Sequence, residues 1–127
     1  MIIDDLKAYA PIYLATPYTK YPQGIHIAYR DAALIAARLI MRGANVYSPI
    51  VHSHPIAMTG HIDPLDHTIW LPFNDVMIAR CDAMIIATLD GWRESHGVAH
   101  EIGQFIAANK PIFTIHPDTL TVAKYGR

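Results

Sequence analysis

The chain has 127 residues, 52% of them hydrophobic, and a formal net charge of −1. That is enough apolar material for one domain with a core, and a near-neutral balance gives no electrostatic footprint for a nucleic acid polymer or an anionic membrane surface. No apolar run approaches the roughly 20 residues of a membrane span, MIIDDLKAYA lacks the basic start of a secretory leader, and the single Cys81 forms no internal disulfide, so the expectation is one cytoplasmic domain over residues 1–127.

Ile12–Ala15 (IYLA) reads as a first strand ended by Thr16-Pro17, and the Pro-, Gly- and Tyr-rich loop TPYTKYPQGIH follows. From about Ile25 to Met41, the residues Ala32, Ile35, Ala36, Leu39 and Ile40 recur with helical spacing, and Gly43 stands where a C-terminal stop belongs. NVYSPI (Asn45–Ile50) reads as a second strand stopped near Pro49. The stretch VHSHPIAMTGHIDPLDHT then reads as the longest loop, and loops of that length in compact domains are usually functional or mobile. It carries His52, His54, His61 and His67 with Asp63 and Asp66, all metal-ligating residue types, but their spacings match no common zinc pattern. A polar lid over an active site or a subunit contact is the other reading.

LPFNDVMIAR reads as a helix with Pro72 in its first turn. It contains Asp75 and leaves through Cys81-Asp82 into AMIIATL (Ala83–Leu89), a continuous apolar run of the kind found in strands buried on both faces. After the loop DGWRESHG, Val98, Ile102, Phe105 and Ile106 form the apolar stripe of a helix that Asn109 can close before PIFTI, a fourth strand. The order βαβ, long loop, αβαβ predicts an α/β fold, a parallel sheet with helices on both sides and right-handed crossovers. A flavodoxin-like strand order would set the first and third strands side by side, bringing the IYLATP loop next to DGWRESHG at the carboxyl edge, where open α/β folds bind ligands. The dinucleotide fingerprint and the phosphate loop GxxxxGK[ST] are both absent.

Glu101 lies in the early part of the last helix, about 60° from Val98 and about 40° from Phe105 on a wheel of 3.6 residues per turn. It therefore borders the apolar stripe. Partial burial would raise its pKa and the positive helix end would lower it, and an ionised, partly desolvated carboxylate is a nucleophile or an electrostatic stabiliser. Position alone also allows a carboxylate that merely answers the helix dipole, just as Ser95 has a plain role as N-cap.

IYLATPY, DVMIARCD and GWRESHGVAHEIGQFIAANKPI together resemble the nucleoside 2-deoxyribosyltransferase-like superfamily over most of the chain. The sharpest match is Ser95-x-Gly97-Val98-x-x-Glu101-x-Gly103, which resembles a segment of its 2'-deoxynucleoside 5'-phosphate N-hydrolase branch. The resemblance implies a Rossmann-like three-layer fold, no metal or organic cofactor, and a Glu that attacks the anomeric carbon of a deoxyribose. Glu101 matches that Glu, Tyr13 the tyrosine that holds it, and Asp75 an aspartate associated with the base. Ser95 occupies a position that contacts the 5'-phosphate in the N-hydrolases and is a sugar-binding Asp in the transferases, which disfavours a free-nucleoside transferase.

The chemistry accords with that carry-over. Breaking an N-glycosidic bond builds positive charge on the sugar, which a fixed carboxylate stabilises or captures, and the departing base needs a proton or hydrogen bond. Asp75 serves the base if burial raises its pKa, with Asp82 the weaker candidate. The hydroxyl of Ser95 and the amides through Gly97 and Val98 would bind a phosphate at the helix N-terminus, with Arg30 or Arg93 adding charge. Trp92 and Trp70 can stack on a base or simply pack. The expected activity is N-glycosidic cleavage or base exchange on a 2'-deoxynucleoside or its 5'-monophosphate. The alternatives are a non-catalytic nucleotide-binding module with the same pocket and a metal-dependent hydrolase built on the His-rich loop. The resemblance also implies a homo-oligomer, with that loop or the tail HPDTLTVAKYGR near a neighbouring site.

Overall fold

The structure is a computed structural model that describes residues 1–126. A 3-10 helix, Ile3–Ala8, precedes strand β1 (Ile12–Ala15), helix α1 (Ile25–Met41) and strand β2 (Val46–Tyr47). Helices α2 (Pro49–Gly60) and α3 (His67–Arg80), strand β3 (Ala83–Ala87), helix α4 (His96–Ala107) and strands β4 (Ile112–Ile115) and β5 (Val122–Lys124) follow. The five strands form one sheet in the order β2-β1-β3-β4-β5, parallel except for the antiparallel edge strand β5. β1 and β3 are therefore neighbours, with Tyr13 beside Met84 and Ala15 beside Ile86.

Strand side chains alternate between two faces, so each central strand feeds two cores. Ile12, Leu14, Ala83, Ile85 and Ala87 join Ile35 and Leu39 of α1 on one side. Tyr13, Ala15, Met84 and Ile86 join Ile78 of α3 and Val98 and Phe105 of α4 on the other. β1 and β3 are buried along their whole length, which is why both read as unbroken apolar runs.

The helix stops at Gly43 and Asn109 form as expected. Both residues take positive φ, 87° and 55°. In each case two amide donors fold back on the last turn: Gly43 to Ile40 and Ala44 to Leu39, then Asn109 to Ile106 and Lys110 to Phe105. This paired pattern satisfies carbonyls that a helix end otherwise leaves bare.

The second quarter of the chain departs from expectation. The supposed long loop is mostly helix α2, and strand β2 shrinks to two residues because Ser48 and Pro49 open that helix. The Ser48 hydroxyl accepts from the Val51 amide at 3.2 Å and Pro49 takes the first helical position, where its missing N–H costs nothing. Likewise α3 begins four residues before LPFNDVMIAR, capped by Asp66, whose carboxylate accepts from the Thr68 amide at 3.0 Å. Pro72 thus lies inside the helix and leaves the Thr68 carbonyl without its usual donor. The tail adds strand β5 to the sheet edge, with Val122 and Leu120 in the core, so the sheet is mixed and not wholly parallel. No described helix is long and apolar enough to cross a membrane.

Candidate functional site

Glu101 is the sixth residue of α4, on the turn that packs against the sheet, and is only 8% exposed although it lines a cleft at the carboxyl edge. Tyr13 reaches it from the neighbouring strand. The Tyr13 hydroxyl donates to Glu101 Oε2, and the Tyr13 ring, wholly buried, is held between Phe105 and Tyr47 at centroid distances of 5.7 and 5.9 Å. Burial pushes the Glu101 carboxyl up to about 8, against the lowering effect of the Tyr13 hydrogen bond. Burial, joined by the Glu101 carboxylate, pushes the Tyr13 phenol far up as well, so Tyr13 remains a proton-bearing donor. The helix N-terminus is not the counterweight expected from sequence, because its influence falls off within the first turn and Glu101 lies beyond it.

The cleft, about 140 Å³, runs between α4, the exit of β1, and the facing sides of α2 and α3. Small-molecule sites commonly span roughly 300–1,000 Å³, so one chain encloses part of a nucleotide-sized ligand and leaves its mouth open. Ser95 and Gly97 line it at the start of α4. Ser95 Oγ accepts from the Val98 amide at 3.2 Å, which leaves its own O–H free to donate into the cleft. A Cβ on Gly97 would meet only Ser95 Oγ, at 3.8 Å, so the folded chain itself does not demand glycine there. Lys20 and His96 also line this end, with Lys20 Nζ 3.3 Å from His96 Nε2.

Several expected site residues lie elsewhere. Asp75 is exposed and does not line the cleft, although it meets Nε2 of the lining His100 at 3.2 Å; successive helical residues are turned by about 100°, and it is Asn74 that faces in. Asp82 sits at the amino end of β3, the opposite sheet edge, where its carboxylate accepts from the Ala10 amide at 3.2 Å. Trp92 packs against the core under α4 with the Arg93 guanidinium 4.8 Å above its ring. Val98 is core, contributing only its amide to the Ser95 cap. Arg30 pairs with Asp31 at 3.2 Å, and neither Arg30 nor Arg93 lines the cleft. In their place stand Trp70, Thr16, Tyr18 and Asn74. Thr16 Oγ1 and Asn74 Oδ1 are buried without a hydrogen-bond partner among the described residues, so each presents an unsatisfied polar atom to whatever fills the cleft.

The histidines of the expected lid disperse along α2 and α3. His52 stacks on Phe73 at 4.7 Å, His61 closes α2 in the left-handed conformation, and His67 lines the cleft mouth. His54 is buried under Tyr18 and His26. Among the described residues no three His, Cys, Asp or Glu side chains converge as a metal would require.

A family model described as "Domain of unknown function (DUF1937)" matches residues 10–116. The chain belongs to this family. A search of curated proteins finds no match to it. The matched span runs from the residue pair before β1 through β4, so it contains Tyr13, Ser95 and Glu101 and leaves out the edge strand β5.

The buried carboxyl of this DUF1937 domain has a consequence for stability. Between the ordinary value of 4.5 and about 8, the unfolded chain has lost the Glu101 proton while the folded chain keeps it. The contribution is therefore full below about 4.5 and is lost as pH rises toward 8. Glu101→Gln keeps the shape without the charge, so urea unfolding at pH 5 and pH 9 should show the variant gaining on the wild type at the higher pH. At about 1.4 kcal/mol per pKa unit the gain is on the order of a few kcal/mol. Parallel pH dependence of the two proteins would remove Glu101 as a proton-holding buried group.

Proposed function

We propose that this chain cleaves, or exchanges the base of, the N-glycosidic bond of a 2'-deoxynucleoside or its 5'-monophosphate. The reading includes a Rossmann-like, flavodoxin-like domain, a type whose ligands sit where neighbouring strands send their connections to opposite faces of the sheet; the adjacency of β1 and β3 supports it. The observation that carries the functional reading is the buried Tyr13–Glu101 pair lining the cleft at that edge. A glycosyl centre that gains positive charge next to this carboxyl lowers the cost of ionising it, so the carboxylate is best stabilised when the bond breaks. Tyr13 holds the attacking oxygen's partner in place. Trp70 offers a flat surface to a base, and Asn74 Oδ1 an acceptor, while Ser95, the α4 amides, Lys20 and His96 form the cationic end suited to a 5'-phosphate.

A nucleophile must be ionised to attack. Base release should therefore rise with pH toward a plateau, with an apparent pKa near the 8 to which burial pushes Glu101. Glu101→Gln should fold and lose about 10²–10³ in rate, the usual cost of removing one oriented electrostatic group. Base release by liquid chromatography checks both. A variant with more than half of wild-type turnover takes Glu101 out of the mechanism, and a wild type that binds nucleotides tightly without releasing base leaves a nucleotide-binding module.

If Ser95 and the following amides bind a phosphate, a 5'-monophosphate should bind better than its nucleoside by roughly tenfold or more, since hydrogen bonds to a charged group contribute about 1.5–3 kcal/mol. Ser95→Asp caps a helix equally well but places a like charge beside the phosphate, so it should reverse that preference with little change in stability. Calorimetric affinities for the pair of ligands decide the matter: an unchanged ratio leaves Ser95 as a cap alone.

The open mouth also supports a homo-oligomer in this reading. Ile69, Phe73 and Val76 recur along one side of α3 and are each at least 39% exposed, next to the exposed Leu65 at the cleft rim. A second copy seated on this stripe would bury it and narrow the mouth. Sedimentation should show a dimer or larger at micromolar concentration that Phe73→Glu dissociates; a monomeric wild type would sink the proposal.

A further inference from the structure

Departure of a nucleobase leaves an electron pair on its ring nitrogen, and the cleft must supply a proton there. Asp75 does not line the cleft, Asn74 faces in without an acidic proton, and of the lining histidines His67 and His96 are exposed while His100 is paired with Asp75. Tyr18 is different. It lines the same cleft as Glu101, is 7% exposed, and its hydroxyl lies 2.6 Å from His54 Nδ1. His54, 3% exposed, contacts His26 Nδ1 through Nε2 at 3.1 Å, and His26 is exposed to solvent. The His54 ring is clamped by the Tyr29 ring stacked on it at 4.7 Å and by the edges of Tyr18 and His26. Three side chains from the β1 exit, α1 and α2 thus form one unbroken file of hydrogen bonds from the cleft to water.

We infer that Tyr18 is the general acid that protonates the leaving base, and that His54 and His26 are positioning residues that return the proton from solvent. The inference rests on the glycosidic reading of the site. In the step, the bond between the anomeric carbon and the base nitrogen breaks with its electron pair going to the base, and the Tyr18 O–H proton moves onto that nitrogen. His54 gives its Nδ1 proton to the Tyr18 oxygen, takes one at Nε2 from His26 Nδ1, and His26 is reprotonated by water. The sugar is captured by the Glu101 carboxylate, and water later displaces it, leaving a hydroxyl on the sugar and a proton in solution. The net change adds one water across the bond.

Two features make the file suited to relay. Burial holds the Tyr18 phenol up at about 12, so it gives up a proton only as it receives another. Burial, and secondarily His26, lowers the His54 pKa, which keeps that ring neutral and so able to accept at one nitrogen while donating at the other. A merely structural role for the file would hold α2 against α1 and would affect all substrates alike.

The test compares two leaving groups on the same deoxyribose 5'-phosphate: a nucleobase, and a nitrophenolate that departs as an anion without protonation. Tyr18→Phe should slow nucleobase release by about 10²–10⁴, the range of general acid catalysis, and change nitrophenolate release by less than about threefold. His26→Asn, a surface change that leaves folding alone, should cost roughly tenfold on the nucleobase only, and added imidazole should restore it. Equal losses on both leaving groups in Tyr18→Phe, or a His26→Asn loss that imidazole does not touch, would overturn the relay while leaving glycosidic cleavage intact. Release of neither leaving group by the wild type would overturn the glycosidic reading and the relay with it.

Discussion

A carboxyl group buried against a sheet is costly unless a donor meets it, and here the donor must come from another strand. Glu101 enters on the helix that follows β3, and Tyr13 stands on β1 with its ring wedged between Phe105 and Tyr47. The two meet because β1 and β3 are adjacent, which requires the chain to send α1 to one face of the sheet and α4 to the other. The gap between those diverging connections is the cleft. The same arrangement therefore produces the pocket, buries the acid within it and supplies its hydrogen-bond donor.

Charge is divided along that cleft. The inner end is nearly dry, and dryness holds Glu101 in its protonated form near neutrality, ready to ionise when positive charge develops beside it. The outer end at the start of α4 carries Lys20, His96 and a helix N-terminus with a free hydroxyl donor, an environment for a fixed anion. Separating the two ends matters, since an anion bound against Glu101 would raise the cost of ionising it further. The Tyr18–His54–His26 file enters from a third side, so a proton path need not cross either end.

α2 and α3 form the remaining wall; the sequence hid all of α2 and the first turn of α3 for physical reasons. Each carries an internal proline, Pro55 and Pro72, which removes a backbone bond and ordinarily marks a helix boundary. Neither shows a clean apolar stripe, because α2 packs against both α1 and β1 while α3 leaves Ile69, Phe73 and Val76 outside. The local signals were two caps: the Ser48-Pro49 pair, which reads equally well as the end of a strand, and Asp66, which opens α3 ahead of its apolar run. β5 has no signature in the sequence because three residues, Val122–Lys124, are too few to show a period; they become a strand by pairing with β4.

What the sequence by itself determined is whatever depends on near neighbours. The apolar runs of β1 and β3, the spacing in α1 and α4, and the stops at Gly43 and Asn109 follow from local sterics and periodicity. Ser95 as N-cap and Glu101 at the border of an apolar stripe were legible for the same reason. Only the tertiary structure decided which residues share the cleft, because that depends on rotation about a helix and on which sheet edge a strand end reaches. One step along α3 exchanges Asp75 for Asn74, one strand length removes Asp82 to the far edge, and Trp70 takes the place in the cleft that Trp92 leaves for the core. His54 lies 36 residues from Tyr18 and 28 from His26 along the chain, and only folding of the β1 exit, α1 and α2 onto one another brings their polar atoms within hydrogen-bonding distance.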